Sequence, residues 1–295
     1  MACEPIFGRL LTAMVTPFTN DGDLDLTAAR RLARYLVDVQ RNDALVINGT
    51  TGEAPTTSDA EKAALIAAVK EELGDDARIV AGVGTFDTAH SIALARQAAD
   101  AGADGLLVVT PYYSLPPQDA LIAHFEAVAD ATDLPCILYD IPHRTGRPIE
   151  TASLIALARH PHIAGVKDAK KDMAASARVI AETDLAYYSG DDAWTLPLLA
   201  VGGVGLVGTS THFTGRRAAE MIDAFTAGRP AEALARNAAL LPVFTGVFAT
   251  QGCVLVKSGL KHLGLLADDV LRGPLLSANP AEAAAFAALL DAADL

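Results

Sequence analysis

Apolar residues along this chain fall into two alternating patterns. The first is short, continuous and rich in Val, Ile and Leu: Leu10–Val15, Ala44–Asn48, Arg78–Gly82, Gly105–Thr110, Cys136–Asp140, Ile163–Lys167, Leu185–Ser189 and Gly205–Thr209. Runs apolar at consecutive rather than alternate positions suit strands buried on both faces, as in a parallel sheet. The second pattern places apolar residues at three- and four-residue steps, the spacing of one helix face. It predicts helices over Thr27–Val39, Ser58–Leu73, Asp87–Ala101, Gln118–Thr132, Thr151–Arg159, Asp172–Glu182, Ala193–Val201 and Arg216–Ala227. Ser58 with Glu61 three residues later reads as a capping box. Gly74, Gly102 and Gly228 stand where helix C-terminal caps belong.

Strand and helix thus alternate eight times over about 225 residues, which fits a (β/α)8 TIM barrel of roughly 250 residues. A doubly wound open sheet is the competing arrangement. Eight similar units with no break in composition favour closure, and residues 1–229 are expected to form the barrel. From Pro230 the strand runs stop. Helical periodicity over Ala231–Val247, Val254–Leu263 and Pro280–Ala293 predicts a C-terminal helical appendage of three helices over 230–295.

Composition narrows the function classes. With 51% hydrophobic and 20% charged residues, the 295-residue chain is neither disordered nor fibrous. A net charge of −13 argues against nucleic-acid partners, which call for a basic footprint. Cys3, Cys136 and Cys253 are odd in number and widely spaced. They suggest neither a disulfide framework nor a zinc site, and point to a reducing, cytoplasmic compartment. The first residues lack the basic-then-apolar pattern of a signal peptide, and no apolar run approaches the ~18 residues of a membrane span.

In a parallel barrel, chemistry belongs at the C-terminal ends of the strands. Lys167 follows the apolar run Ile163–Val166. An amine held there is desolvated, its charged form is disfavoured, and the neutral amine can attack a ketone to form a Schiff base. An isolated lysine after a strand more often simply leaves for solvent. Tyr139, ending the neighbouring strand, offers a phenol for proton transfer. Arg144 can hold a carboxylate with two hydrogen bonds. Gly49-Thr50-Thr51-Gly52 combines hydroxyls with a main chain that an anion can approach. Gly203-x-Gly205-x-x-Gly208 matches a dinucleotide fingerprint in letters only, because it follows a helix and runs into a strand. His160 and His162 read as surface residues with no third ligand nearby.

The segments Gly49-Thr-Thr-Gly-Glu53, Pro111-Tyr-Tyr113, Tyr139-Asp-Ile-Pro-His-Arg144, Gly165-Val-Lys-Asp168 and Ser189-Gly-Asp-Asp192 occur in this order. Together they resemble the dihydrodipicolinate synthase/N-acetylneuraminate lyase family of class I pyruvate aldolases, over nearly the whole chain. The resemblance implies that Lys167 forms the Schiff base with pyruvate and Tyr139 relays protons. It implies that Thr51 links Tyr139 to Tyr113, the latter contributed by a neighbouring subunit of a homotetramer built as a dimer of dimers. Thr50 and Thr51 would hold the pyruvate carboxylate through backbone amides, and Arg144 the carboxylate of the second substrate. Gly190 and Val207 would line the pocket through backbone carbonyls. No metal or organic cofactor is implied.

Arg144 resembles the synthase branch, which implies condensation of pyruvate with aspartate 4-semialdehyde on the route to diaminopimelate and lysine. A lyase acting on N-acetylneuraminate or a 2-keto-3-deoxy sugar acid is the alternative, and a non-catalytic ligand-binding barrel a more remote one. His143 and Val207-Gly208-Thr209 depart from the usual pattern beside the pocket. The segment after Glu53 lacks the histidines of the lysine-inhibited members, and His90 stands where they carry a glutamate. Feedback by lysine is therefore expected to be weak or absent.

Overall fold

The structure, a computed structural model, describes residues 4–295. The expectations placed on Cys3 and on the first residues of the chain lie outside the described residues. Among the described residues there are eight strands: β1 (Leu10–Ala13), β2 (Ala44–Ile47), β3 (Arg78–Gly82), β4 (Gly105–Val109), β5 (Cys136–Asp140), β6 (Ile163–Asp168), β7 (Ala186–Ser189) and β8 (Gly205–Gly208). They pair in chain order, all parallel, and β8 closes on β1 through Leu11 opposite Val207. Between and after them run α1 (Leu26–Asp38), α2 (Asp59–Leu73), α3 (Thr88–Asp100), α4 (Gln118–Ala129), α5 (Pro142–Thr145), α6 (Thr151–Leu157), α7 (Met173–Glu182), α8 (Thr195–Ala200) and α9 (Thr211–Thr226). Then follow α10 (Pro230–Gly246), α11 (Gly252–His262) and α12 (Pro280–Ala292). The expected TIM barrel with C-terminal helices is therefore the fold observed.

The continuous apolar runs serve two cores at once. Leu11, Ala13, Val46, Val80, Ile137 and Val207 face the barrel interior. Their neighbours Leu45, Ile47, Ile79, Leu106, Val108 and Val166 pack outward against the helices. Alternate side chains point to opposite faces of a strand, so both sets must be apolar. The N-terminal end of the barrel is plugged. Phe7 fills the space where Gly105 has no side chain, and a Cβ there would lie 2.1 Å from its ring. The Tyr188 hydroxyl donates to the Gly8 carbonyl at 3.0 Å and accepts from the Phe7 N–H at 3.3 Å. Access is left to the opposite mouth.

The C-terminal helices continue the outer layer. Phe213 of α9 meets Phe286 of α12 edge-on at 5.7 Å. Gly259 of α11 passes between them, where a Cβ would come within 2.7 Å of Phe213 and 2.9 Å of Phe286.

The structure differs from the periodicity in instructive places. Helix α9 starts at Thr211, five residues before the expected Arg216. The polar-looking stretch Thr211–Gly215 is wholly buried, so packing rather than propensity extends the helix. Ala193–Val201 divides into a 3-10 turn over Asp192–Trp194 and α8. The four-residue α5 within the Tyr139–Gly146 segment was not anticipated. Gly205–Gly208 is strand β8, and its glycines serve packing: a Cβ at Gly205 would lie 2.0 Å from the Arg9 carbonyl oxygen.

His160 and His162 do have a third potential ligand, contrary to expectation, because the end of α4 brings Asp130 beside them. His160 Nδ1 accepts the His162 backbone N–H at 3.2 Å, and Nε2 lies 3.0 Å from Asp130 Oδ1. A neutral imidazole with an acceptor Nδ1 carries its proton on Nε2, so the ring donates to the carboxylate and is satisfied without a metal.

Candidate active site

Strand register builds the reactive pair. Tyr139 of β5 lies opposite Lys167 of β6, and Lys167 opposite Tyr188 of β7. Lys167 is 4% exposed and Tyr139 5% exposed. The amine stands 4.3 Å from the centre of the Tyr139 ring. No hydrogen-bond acceptor is found for Lys167 Nζ among the described residues. Burial, aided by the positive charge of Arg144 and opposed by Asp192, pulls its pKa down to about 8. At that value roughly a tenth of the amine is neutral at pH 7, against about one part in three thousand for an ordinary lysine. Burial pushes the Tyr139 phenol above its ordinary value, so the hydroxyl stays protonated and can donate.

Loops after the strands complete the mouth. The turn after β2 closes with Gly49 accepting from the Gly52 and Ala54 N–H groups. The N–H groups of Thr50 and Thr51 have no acceptor among the described residues, which leaves them free for an anion. Gly190, after β7, stands where a Cβ would press on Lys167 Cγ at 3.0 Å, and its lack of a side chain keeps the lysine in place. Asp192 is fully buried. Its carboxylate accepts from the Thr209 N–H, the Ser210 N–H and the Ser210 hydroxyl at 3.1, 2.9 and 2.5 Å, fixing the chain after β8.

Lys167, Tyr139, Thr50, Thr51 and Gly190 line one cavity of about 450 Å3, together with Arg144, His143, Lys171, Thr209 and the α10–α11 junction. Arg144, at the exposed end of α5, has no acidic partner among the described residues, whereas Lys171 is held by Asp191 at 2.6 Å. Burial and the nearby Arg144 and Lys171 depress the pKa of His143. The mouth of an acidic protein is thus locally cationic, a suitable entrance for carboxylate substrates.

Lys167, Tyr139, Thr50, Thr51, Arg144 and Gly190 converge on this cavity as expected. Thr51 Oγ1 lies 3.5 Å from Thr209 Oγ1, and the Thr50 side chain is a neighbour that favours ionisation of the Tyr139 phenol against its burial. Of the other expected residues, Val207 is the one placed differently. Val207 is packed inside the barrel and does not line the cavity; Thr209 does. Tyr113, 95% exposed with φ +74°, stays outside the cavity of its own chain. The wall formed by Phe244, Phe248 and Gln251–Cys253 is not legible in the sequence, because helical periodicity says nothing about which helix end overhangs the barrel.

The sequence profile of the Dihydrodipicolinate synthetase family matches residues 6–293. The chain belongs to this family. It is 62% identical to the 4-hydroxy-tetrahydrodipicolinate synthase of Cutibacterium acnes over 99% of both chains. It is 59% identical to the protein of that name from Acidothermus cellulolyticus, covering 94% of this chain and 90% of the relative. Among solved structures, the dihydrodipicolinate synthase of Bacillus anthracis superposes with a TM-score of 0.94 at 36% identity, covering 97% of this chain and 98% of that one. The enzyme from Cyanidioschyzon merolae, solved with lysine bound, gives 0.94 at 38% identity, covering 98% and 99%. A third family structure, at 31% identity and TM-score 0.94 (98% and 97% covered), is described as a monomeric variant.

Proposed function

We propose that this chain condenses pyruvate with aspartate 4-semialdehyde to 4-hydroxy-tetrahydrodipicolinate, as a Schiff-base lyase of lysine and diaminopimelate biosynthesis. The observation that carries the mechanism is the buried Lys167 amine without a hydrogen-bond acceptor, in register beside Tyr139 at the open barrel mouth. The neutral amine adds to the pyruvate ketone, and loss of water leaves an iminium. Loss of a methyl proton gives an enamine, whose carbon bonds to the aldehyde carbon of the second substrate while its oxygen takes up a proton. The substrate's own amine then displaces Lys167 and closes the ring.

Tyr139 shuttles these protons. The free N–H groups of Thr50 and Thr51 receive the pyruvate carboxylate, and Arg144 the carboxylate of the semialdehyde. Tyr113 reaches the site of a neighbouring subunit in a homotetramer made as a dimer of dimers; its exposure on its own chain supports that role. No helix among the described residues is long and apolar enough to cross a membrane, and we place the enzyme in the cytoplasm. The high identity to synthases across the whole chain disfavours the sugar-acid lyase reading.

The deciding experiment is pyruvate-dependent consumption of aspartate 4-semialdehyde, with Lys167→Ala alongside. The parent turns over, the variant does not, and borohydride with pyruvate labels only the parent. A labelled lysine elsewhere in Lys167→Ala would overturn the assignment. Lysine is expected to inhibit weakly or not at all: His90 is paired with Asp59 at 2.9 Å, beside a second cavity of about 380 Å3 that adjoins Thr50 and Tyr139. Inhibition by sub-millimolar lysine in initial-rate assays would refute this.

A further inference from the structure

The Gly49–Glu53 turn ends on a residue that the reaction does not use. Glu53 is 2% exposed, and its backbone sits at φ +56°, a left-handed conformation unusual for a side-chain-bearing residue. Its carboxylate does not line the cavity. Oε1 is held by Lys257 Nζ at 2.5 Å, and Oε2 accepts the Arg272 backbone N–H at 3.0 Å. Lys257, 1% exposed on α11, also donates to the Val270 carbonyl at 2.7 Å and lies 4.2 Å from the centre of the Phe18 ring. The Arg272 guanidinium packs on the same ring at 4.3 Å and forms a two-pronged bridge to Glu61 at 2.5 and 2.9 Å. Among the described residues, both partners of the Glu53 carboxylate, Lys257 and Arg272, come from the C-terminal segment, more than two hundred residues away in sequence.

We propose that the buried Glu53–Lys257 pair is a positioning device for pyruvate binding: it ties the C-terminal segment to the Thr50–Thr51 turn and sets the direction of its two free N–H groups. This rests on the reading of those N–H groups as the pyruvate carboxylate site. A left-handed backbone at Glu53 persists only where its surroundings over-determine it, and the two charged hydrogen-bonded anchors supply that restraint. Removing one member of a buried pair leaves the other charge uncompensated, so the turn moves to find water or a new partner. Arg144, on α5, lies outside this network, and the semialdehyde site is therefore spared.

The test is borohydride trapping of pyruvate on Lys167 at increasing pyruvate, without aldehyde, followed by steady-state kinetics in both substrates. In Lys257→Met the half-saturating pyruvate concentration is expected to rise about tenfold or more, as for loss of a charged hydrogen bond. Trapping at saturating pyruvate stays complete, and KM for the semialdehyde stays within about twofold. Glu53→Gln/Lys257→Met, which leaves no lone charge but also no tie, keeps the raised half-saturation while regaining stability. A folded Lys257→Met with the parent's pyruvate half-saturation overturns the proposal, and so does an equal rise in both KM values. Should Lys257→Met not fold, Glu53→Gln, which keeps the side chain's size and its hydrogen-bonding oxygen, takes its place; a parental pyruvate response there is equally fatal. A parent that traps no pyruvate removes the underlying site reading instead, and the proposal with it.

Discussion

Two buried lysines in this molecule have opposite fates. Lys257 is sealed between Glu53, the Val270 carbonyl and the face of Phe18. Lys167 is as deeply enclosed but has only the Tyr139 ring against its amine and an open cavity beyond. Burial depresses both pKa values. What separates them is the partner set. A lysine whose protons are all engaged is a structural tie, whereas one that is desolvated without an acceptor is a nucleophile waiting for a carbonyl. Burial alone would not have told them apart.

The sharpest way to break this comparison after removal of Lys167 itself is at its proton relay. Tyr139→Phe is expected to lower kcat by roughly 10²–10⁴ while still forming the Schiff base, because the amine remains and only acid–base help is lost. Wild-type turnover in that variant would take the phenol out of the mechanism.

A second test applies one substitution in both places. Lys257→Met should destabilise the fold by about 3–5 kcal/mol, since it strands the Glu53 carboxylate. Lys167→Met should instead stabilise it at pH 7 by up to about 3 kcal/mol, since no partner is lost and the strain of a buried charge is relieved. The sign follows from linkage. With a folded-state pKa near 8 and an ordinary value of 10.5, the unfolded chain binds the extra proton between those pH values. Lys167 therefore penalises the fold fully below pH 8, and the penalty fades as pH rises towards 10.5. Thermal unfolding at pH 7 and pH 10 reads both variants; equal signs at pH 7 would end the distinction.

The smallest effect is in the pH profile. kcat/KM for pyruvate should rise about tenfold per unit below pH 8 and level off above it, as the Lys167 amine loses its proton. A profile flat from pH 6 to 9 would mean that the amine is already neutral in the free enzyme.

Much of this architecture was legible beforehand, for identifiable reasons. Eight consecutive apolar runs separated by helical periodicity have few solutions other than a closed barrel, and the ends of those runs locate its chemistry. Position and residue type made Lys167 and Tyr139 candidates, and the family resemblance of the five motifs gave them their expected roles. Thr50 and Thr51 both line the cavity, but the sequence does not say what each hydroxyl meets. Neighbouring hydroxyls in a turn point in different directions, and only the backbone path decides that Thr51 Oγ1 stands by Thr209. Asp130 beside His160 is not legible in the sequence, because it lies 30 residues away and arrives through the packing of α4.

By itself the sequence determined the number and order of strands and helices, the end of the barrel that carries chemistry, and the residue types available there. These follow from local periodicity and chain direction, which are properties of neighbours along the chain. Tertiary structure alone decided which lysine is left without an acceptor, which helix ends wall the cavity, and that α11 anchors the turn after β2. Each of those depends on contacts between residues far apart in sequence: a pKa, a cavity wall or a buried ion pair is set by what surrounds a group in space.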